Sequence, residues 1–161
     1  MDYSTLKLIH ILSATLLFGT GLGSAFYKWM ADRSGNLPAI AHTNGIVVIA
    51  DWLFTTPTVI IQPLTGIWLL NLMGIPLTQP WVIAAFILYF IAGACWLPVV
   101  WLQIRMRDIS RLAVESGTAL DDTYYRYARI WFWLGVPAFI SMVIVYFLMV
   151  FKPAIEIWGV S

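Results

Sequence analysis

The sequence predicts an all-α integral membrane protein, a four-helix bundle of antiparallel spans with both termini on the outer side. Three observations predict it. Of 161 residues, 61% are apolar and only 11% charged, whereas a soluble domain is nearer half apolar and a quarter charged. Four apolar stretches, 8–27, 47–72, 81–102 and 130–151, reach the ~20 residues that cross the ~30 Å hydrocarbon layer. The connections between them are short and rich in turn residues, so successive helices run antiparallel. The whole chain therefore reads as one membrane domain with spans about 6–29, 46–72, 81–104 and 128–151, and the lipid bilayer is its first partner. A net charge of +1, with no basic block and no Gly-rich phosphate loop, gives nucleic acid and nucleotides nothing to bind. The lone Cys95 excludes an intramolecular disulfide and a multi-thiolate metal site.

The first span begins without a basic n-region or a small-residue cleavage site, and reads as a retained helix rather than a signal peptide. At 100° per residue, Lys7, His10, Ser13, Gly21, Ser24 and Lys28 share one side of it. Alignment of His10 with Gly21 leaves room for close approach below the imidazole. Gly19 and Gly23 form a G-x-x-x-G pair on the opposite side, a face for a second helix or for a homodimer.

In the second span Asn44, Asp51, Thr58 and Thr65 recur every seven residues, with Thr55 and Gln62 filling the same stripe. Such a polar seam turns inward. Pro57 and Pro63 lie within it, and each frees a backbone carbonyl that Thr hydroxyls or Gln62 can satisfy. Segment 38–46 extends this helix out of the membrane or lies at its interface, with His42 interfacial and structural. Asp51 inside the hydrocarbon costs ~2.5–3.5 kcal/mol on insertion scales. Two roles fit it: an ion pair with Lys28, Arg105 or Arg129, which end their spans at its height, or a proton or ligand site.

The third and fourth spans supply Tyr89, Trp96, Met142, Tyr146 and Met149. Between them, the charged residues from Asp108 to Arg129 read as solvated helix ends around a turn at Ser116-Gly117-Thr118. Lys28, Arg33, Arg105, Arg107, Arg111, Arg126 and Arg129 fall on one side of the membrane, against Lys7 and Lys152 on the other. The positive-inside rule then puts the charged connections in the bacterial cytoplasm and both termini outside.

His10 carries the sharpest chemistry. An inward imidazole in an aromatic-rich bundle can ligate a haem iron, or can simply hydrogen-bond a neighbouring helix. Gly21, Tyr89, Trp96, Met142 and Met149 are the candidates for the rest of a haem pocket, with Lys7 or Lys152 to neutralise a propionate. Absence of a second histidine at that height favours five-coordinate or His–Met ligation.

The residues also carry a resemblance. Leu6-Lys7-Leu8-Ile9-His10-Ile11-Leu12 followed by Phe18-Gly19 resembles the first helix of the copper-resistance protein D and HemJ-like group. Ala50-Asp51-Trp52-Leu53-Phe54-Thr55-Thr56-Pro57, Gln62-Pro63-Leu64-Thr65-Gly66 and Trp133-Leu134-Gly135-Val136-Pro137-Ala138-Phe139 are similar to a bacterial family of predicted small integral membrane proteins without an assigned function. The HemJ-like resemblance implies a haem b ligand at His10, although the third-helix Lys of that group has no counterpart between Lys28 and Lys152. A b-type haem protein moving electrons within the membrane, as a membrane oxidoreductase or electron carrier with quinone as exchange partner, is the function these readings favour. The alternative is a non-redox membrane protein, either a scaffold subunit or a pathway for a small solute, proton or copper.

Overall fold

A computed structural model describes residues 2–153. Asp2 opens helix α1 (Tyr3–Ser34) by accepting the Thr5 N–H at 3.3 Å, a bond that holds the carboxyl below the usual carboxylate range. Gly35, in the left-handed conformation at φ 64°, ends it. Asn36 caps α2 (Leu37–Ala50) by accepting from Ala39 N–H, with Pro38 in the first turn. A short connection from Met73 leads to α4 (Pro80–Ser116), which Gly117 terminates at φ 65°. Asp121 then caps α5 (Asp122–Phe151) by accepting from Tyr124 N–H at 3.0 Å.

Segment 38–46 is thus helical and continuous with the second span. Between α2 and α3 (Thr56–Leu72), Asp51–Thr55 forms a π-helical turn. Pro57 supplies the physical reason: it has no N–H, and its ring would strike the carbonyl of residue 53 in a tight α-helix. Widening the turn relieves that clash. The Thr56 N–H reaches back five residues to Asp51 O, and the Thr56 hydroxyl bonds the same carbonyl at 3.0 Å.

Four helical stretches, Tyr3–Ser34, Leu37–Leu72, Pro80–Ser116 and Asp122–Phe151, are long and apolar enough to cross a membrane. They pack as an all-α bundle whose outward face is itself apolar, with Phe90 71% and Leu97 65% exposed to the place of lipid. The buried core divides into two clusters. One gathers Ile40, Leu102, Met106 and Tyr124 near the charged connections; the other gathers Leu70, Trp81, Val82 and Leu148 near the opposite ends. Neighbours α4 and α5 pack along their length, α2 packs on α4, and α1 on α2 and α3, whereas the backbones of α1 and α5 approach closely at few points. Long side chains span the distance between the first and fourth spans.

Candidate functional site

His10 is held by the second span. Thr65 gives its single hydroxyl hydrogen to Ile61 O at 2.7 Å, so His10 Nδ1 is the donor in the 2.8 Å bond to Thr65 Oγ1. The other ring nitrogen, Nε2, then carries the lone pair and accepts from the Gln62 amide at 3.2 Å. Gln62 Oε1 in turn accepts from Ser13. Ser13, Gln62, His10 and Thr65 so form one hydrogen-bonded chain between the first and second spans, which the Nδ1–H tautomer of His10 satisfies. Gly66 makes the approach possible: a Cβ there would stand 3.3 Å from His10 Cε1. Gly21, the glycine that helix periodicity aligns with His10, meets nothing within 4 Å.

Beside this network lies a cavity of about 430 Å³, lined by His10, Gln62, Tyr89, Met142 and Met149, with Lys7 and Lys152 also in its wall. A second cavity of about 360 Å³ lies deeper, lined by Gly21, Asp51, Thr55, Trp96 and Gln103. Tyr89 and Met142 border both. Gly21 and Trp96 thus belong with Asp51 and not with His10, because they lie further along their helices toward the charged connections. Phe18 packs on Phe139 and Tyr146, with ring centroids 5.1 and 5.4 Å away, and the Tyr146 hydroxyl donates to Ala14 O at 2.8 Å. These contacts bridge α1 and α5.

The polar seam is brought together. Asp51, Thr55, Thr58 and Thr65 are buried, as is Asn44, and Gln62 is half-buried. Within the seam Thr58 donates to Phe54 O and Thr55 O, and Tyr89 donates to Val59 O at 2.7 Å, the carbonyl that Pro63 deprives of an amide.

The ion pairing differs from the expectation that Lys28, Arg105 or Arg129 neutralises Asp51. Lys28 is 1% exposed and pairs with Asp32 at 2.9 Å, one turn along its own helix. Its ammonium also donates to Tyr124 Oη at 3.0 Å and lies over the Tyr124 and Trp131 rings. Tyr124 donates to Asp32 at 2.6 Å and accepts from Asn44, which also donates to Ser110. One buried cluster so ties α1, α2, α4 and α5 together. Arg105 and Arg129 are exposed, Arg105 lying over Trp101, and neither reaches the buried carboxylate.

Asp51 instead meets neutral groups. In the amide orientation that satisfies both of its neighbours, Gln103 donates to Asp51 Oδ2 at 2.8 Å and accepts from Trp131 Nε1 at 3.3 Å. Helix periodicity alone gave no reason to single out Gln103. Its signal is its type, an amide inside an otherwise apolar run.

Among the described residues, no three His, Cys, Asp or Glu side chains come together to hold a metal ion. A haem places a lighter demand on the chain, since its macrocycle supplies four nitrogens and the protein need add only axial ligands. The residues fit that demand: a ligand histidine ordinarily donates its second ring nitrogen to fix its tautomer, as His10 Nδ1 does to Thr65, and Met142 and Met149 share its cavity. A Cβ at Gly19 would meet nothing within 4 Å, and one at Gly23 only the Tyr27 ring of its own helix, at 3.7 Å.

No curated protein and no solved structure matches the chain. The model of a family described as predicted integral membrane protein (DUF2269) matches residues 4–153, which takes in all four spanning helices and both cavities, and the chain belongs to that family.

Proposed function

We propose that this protein is a small b-type haem protein that handles electrons within the membrane, with His10 Nε2 as an axial ligand. The observation that carries the reading is the setting of His10: Thr65 of the second span bonds its Nδ1 and, by bonding Ile61 O as well, favours the proton on that nitrogen, and the residue lines a cavity. Gln62 must turn aside for ligation, and Ser13 is there to receive it. Met142 or Met149 offers a second ligand, while Lys7 and Lys152 offer positive charge to propionates. The bound haem would supply one-electron chemistry; the chain's own contribution is to orient the imidazole, exclude water and set the polarity around it. The similarity of residues 6–12 and 18–19 to the HemJ-like group supports the same ligand. Lipid-soluble quinone is the exchange partner in this reading, because it reaches a site within the membrane from lipid. In this reading the first and third connections, which carry most of the positive residues, are the cytoplasmic side in a bacterium, and both termini are outside.

A visible spectrum of protein purified after expression with haem supplied tests the reading. A Soret band that His10→Ala abolishes supports it; a colourless protein overturns it. One observation favours a second reading, in which the bundle is a non-redox scaffold: the His10 ring is already fully hydrogen-bonded within the chain. Under that reading His10→Ala lowers thermal stability and there is no haem to lose.

A further inference from the structure

At the end of the bundle near the charged connections, a groove of about 530 Å³ runs between α2 and α4. One face of each helix lines it. From α2 come His42, Gly45, Ile46 and Ile49, at the i, i+3, i+4 and i+7 positions that share a side of a helix, and from α4 come Arg107 and Arg111, one turn apart. The bond from Asn44 Nδ2 to Ser110 Oγ at 3.1 Å sets the register of these antiparallel helices. It puts His42 near the level of Arg111, Ile46 near that of Arg107, and Ile49 beyond both, toward the hydrocarbon. Gly45 keeps the middle of the groove clear, since a Cβ there would meet nothing within 4 Å.

The groove therefore changes character along its length. Ile46 and Ile49 are 51% and 64% exposed, and Ile49 belongs to the second apolar stretch, 47–72. Arg107 and Arg111 follow the third apolar stretch, which ends at residue 102. From His42 to Ile49 the helix rises about 10 Å, enough to pass through a headgroup layer of ~5–8 Å. Two acids bear on the same place: Asp108 pairs with Arg107 at 2.8 Å, and Glu115 lines the aqueous end. Arg111 pairs with no acid among the described residues. Guanidinium groups at headgroup level, with an apolar channel leading from them into hydrocarbon, are complementary to a phosphate ester that carries long acyl chains. A soluble acidic peptide would leave Ile49 uncovered, and a zwitterionic lipid would bring its own cation to the arginines.

We infer that this groove seats one anionic phospholipid. Its phosphate lies between Arg111 and Arg107, with the His42 ring N–H as a further donor, and an acyl chain runs past Gly45 along Ile46 and Ile49 into the bilayer. The lipid clasps α2 to α4 from outside, across the seam that Asn44 and Ser110 close from within. The site is independent of the haem reading, because His10 and its cavity lie toward the opposite end of the bundle.

Native mass spectrometry of the full chain in mild detergent, titrated with dioleoyl phosphatidylglycerol or dioleoyl phosphatidylcholine, counts the lipids bound and gives the affinity of each. The first phosphatidylglycerol should bind about tenfold more tightly than the first phosphatidylcholine. Arg111→Gln and Arg107→Gln should each weaken it by about threefold to fivefold, with the larger loss at Arg111, because Asp108 already holds Arg107. Glu115→Gln should tighten it by about twofold. Gly45→Leu fills the groove and leaves every charge in place, and should remove the tight site. Arg126→Gln, an equal loss of charge at an exposed position of α5, should change nothing. Melting temperatures without added lipid check that each variant folds. Equal affinity for the two lipids, equal losses in Arg126→Gln and Arg111→Gln, undiminished binding to a folded Gly45→Leu, or displacement of the lipid by soluble glycerol phosphate overturns the inference.

Discussion

Tyr89 of the third span donates its hydroxyl to Val59 O of the second at 2.7 Å, and Val59 is the residue whose carbonyl Pro63 leaves without an amide donor. An inter-helix bond thus completes an intra-helix defect. Tyr89→Phe strands that carbonyl and should cost about 1–3 kcal/mol. Pro63→Ala restores the missing N–H, so the double variant Tyr89→Phe/Pro63→Ala should be more stable than Tyr89→Phe alone. Thermal melts in one detergent, arranged as a double-mutant cycle, read the coupling directly; additive losses would mean that the hydroxyl does not serve the proline.

Lys28 and Asp32 form a pair of unequal burial, with side chains 2% and 23% exposed. Lys28→Met leaves a carboxylate that still reaches water and keeps Tyr124 as a donor. Asp32→Asn leaves an ammonium buried among neutral groups, a change that typically costs ~3–5 kcal/mol. The expected order of melting temperature is wild type, then Lys28→Met, then Asp32→Asn. The reverse order would place the main stress on the acid.

Arg105 and Arg129 are exposed, and Arg105→Gln and Arg129→Gln should each melt within about 0.5 kcal/mol of wild type, the range of ordinary surface changes. Asp51→Leu should be clearly destabilised, because it strands the Gln103 amide as well as Thr55 and Trp96. Asp51→Asn, able to bond Gln103 still, should lie between. A loss in either arginine variant equal to that of Asp51→Leu would restore the ion pair.

Gly66→Ala forces a contact of 3.3 Å onto His10 Cε1, so the imidazole must yield by a few tenths of an ångström. The expected result is a small drop in melting temperature with a shifted or weakened Soret band, and a complete loss of haem for Gly66→Val. Gly21→Ala, which meets nothing within 4 Å, should leave both readings at wild type. Identical spectra for Gly66→Val and wild type would place the haem elsewhere.

Orientation is open to labelling. In a Cys95→Ser background, Arg33→Cys and Thr118→Cys should react with an impermeant maleimide only after the cells are opened. Reaction in intact cells would invert the topology.

The spans and their ends were legible in the sequence because composition and seven-residue periodicity act locally: the stripe from Asn44 to Thr65 turns inward, and the charged turn near Gly117 lies where the helices stop. Partner choice was less legible. Lys28 and Asp32 stand at the i, i+4 spacing that pairs charges on a helix, yet counting cations by depth points Lys28 toward Asp51. Periodicity also pairs His10 with Gly21, a residue on its own helix, whereas the glycine that matters, Gly66, comes from the helix opposite, and only packing reveals which helices face each other. The π-helical turn left no periodic trace at all, since it arises from how the chain re-routes its hydrogen bonds around Pro57.

That turn also acts as a splice between two phases of one helix. The turn shifts the helical phase between the Asn44 end, locked to Ser110 and Tyr124 of α4 and α5, and the Thr65 end, locked to His10 of α1, so each half keeps the rotation that its own partners need. Removing Leu53, a residue that faces lipid with 61% exposure, would delete no contact of the core. It would nonetheless unwind the alignment, leaving one half of the helix to face its partners and turning the other half's polar stripe out of the bundle.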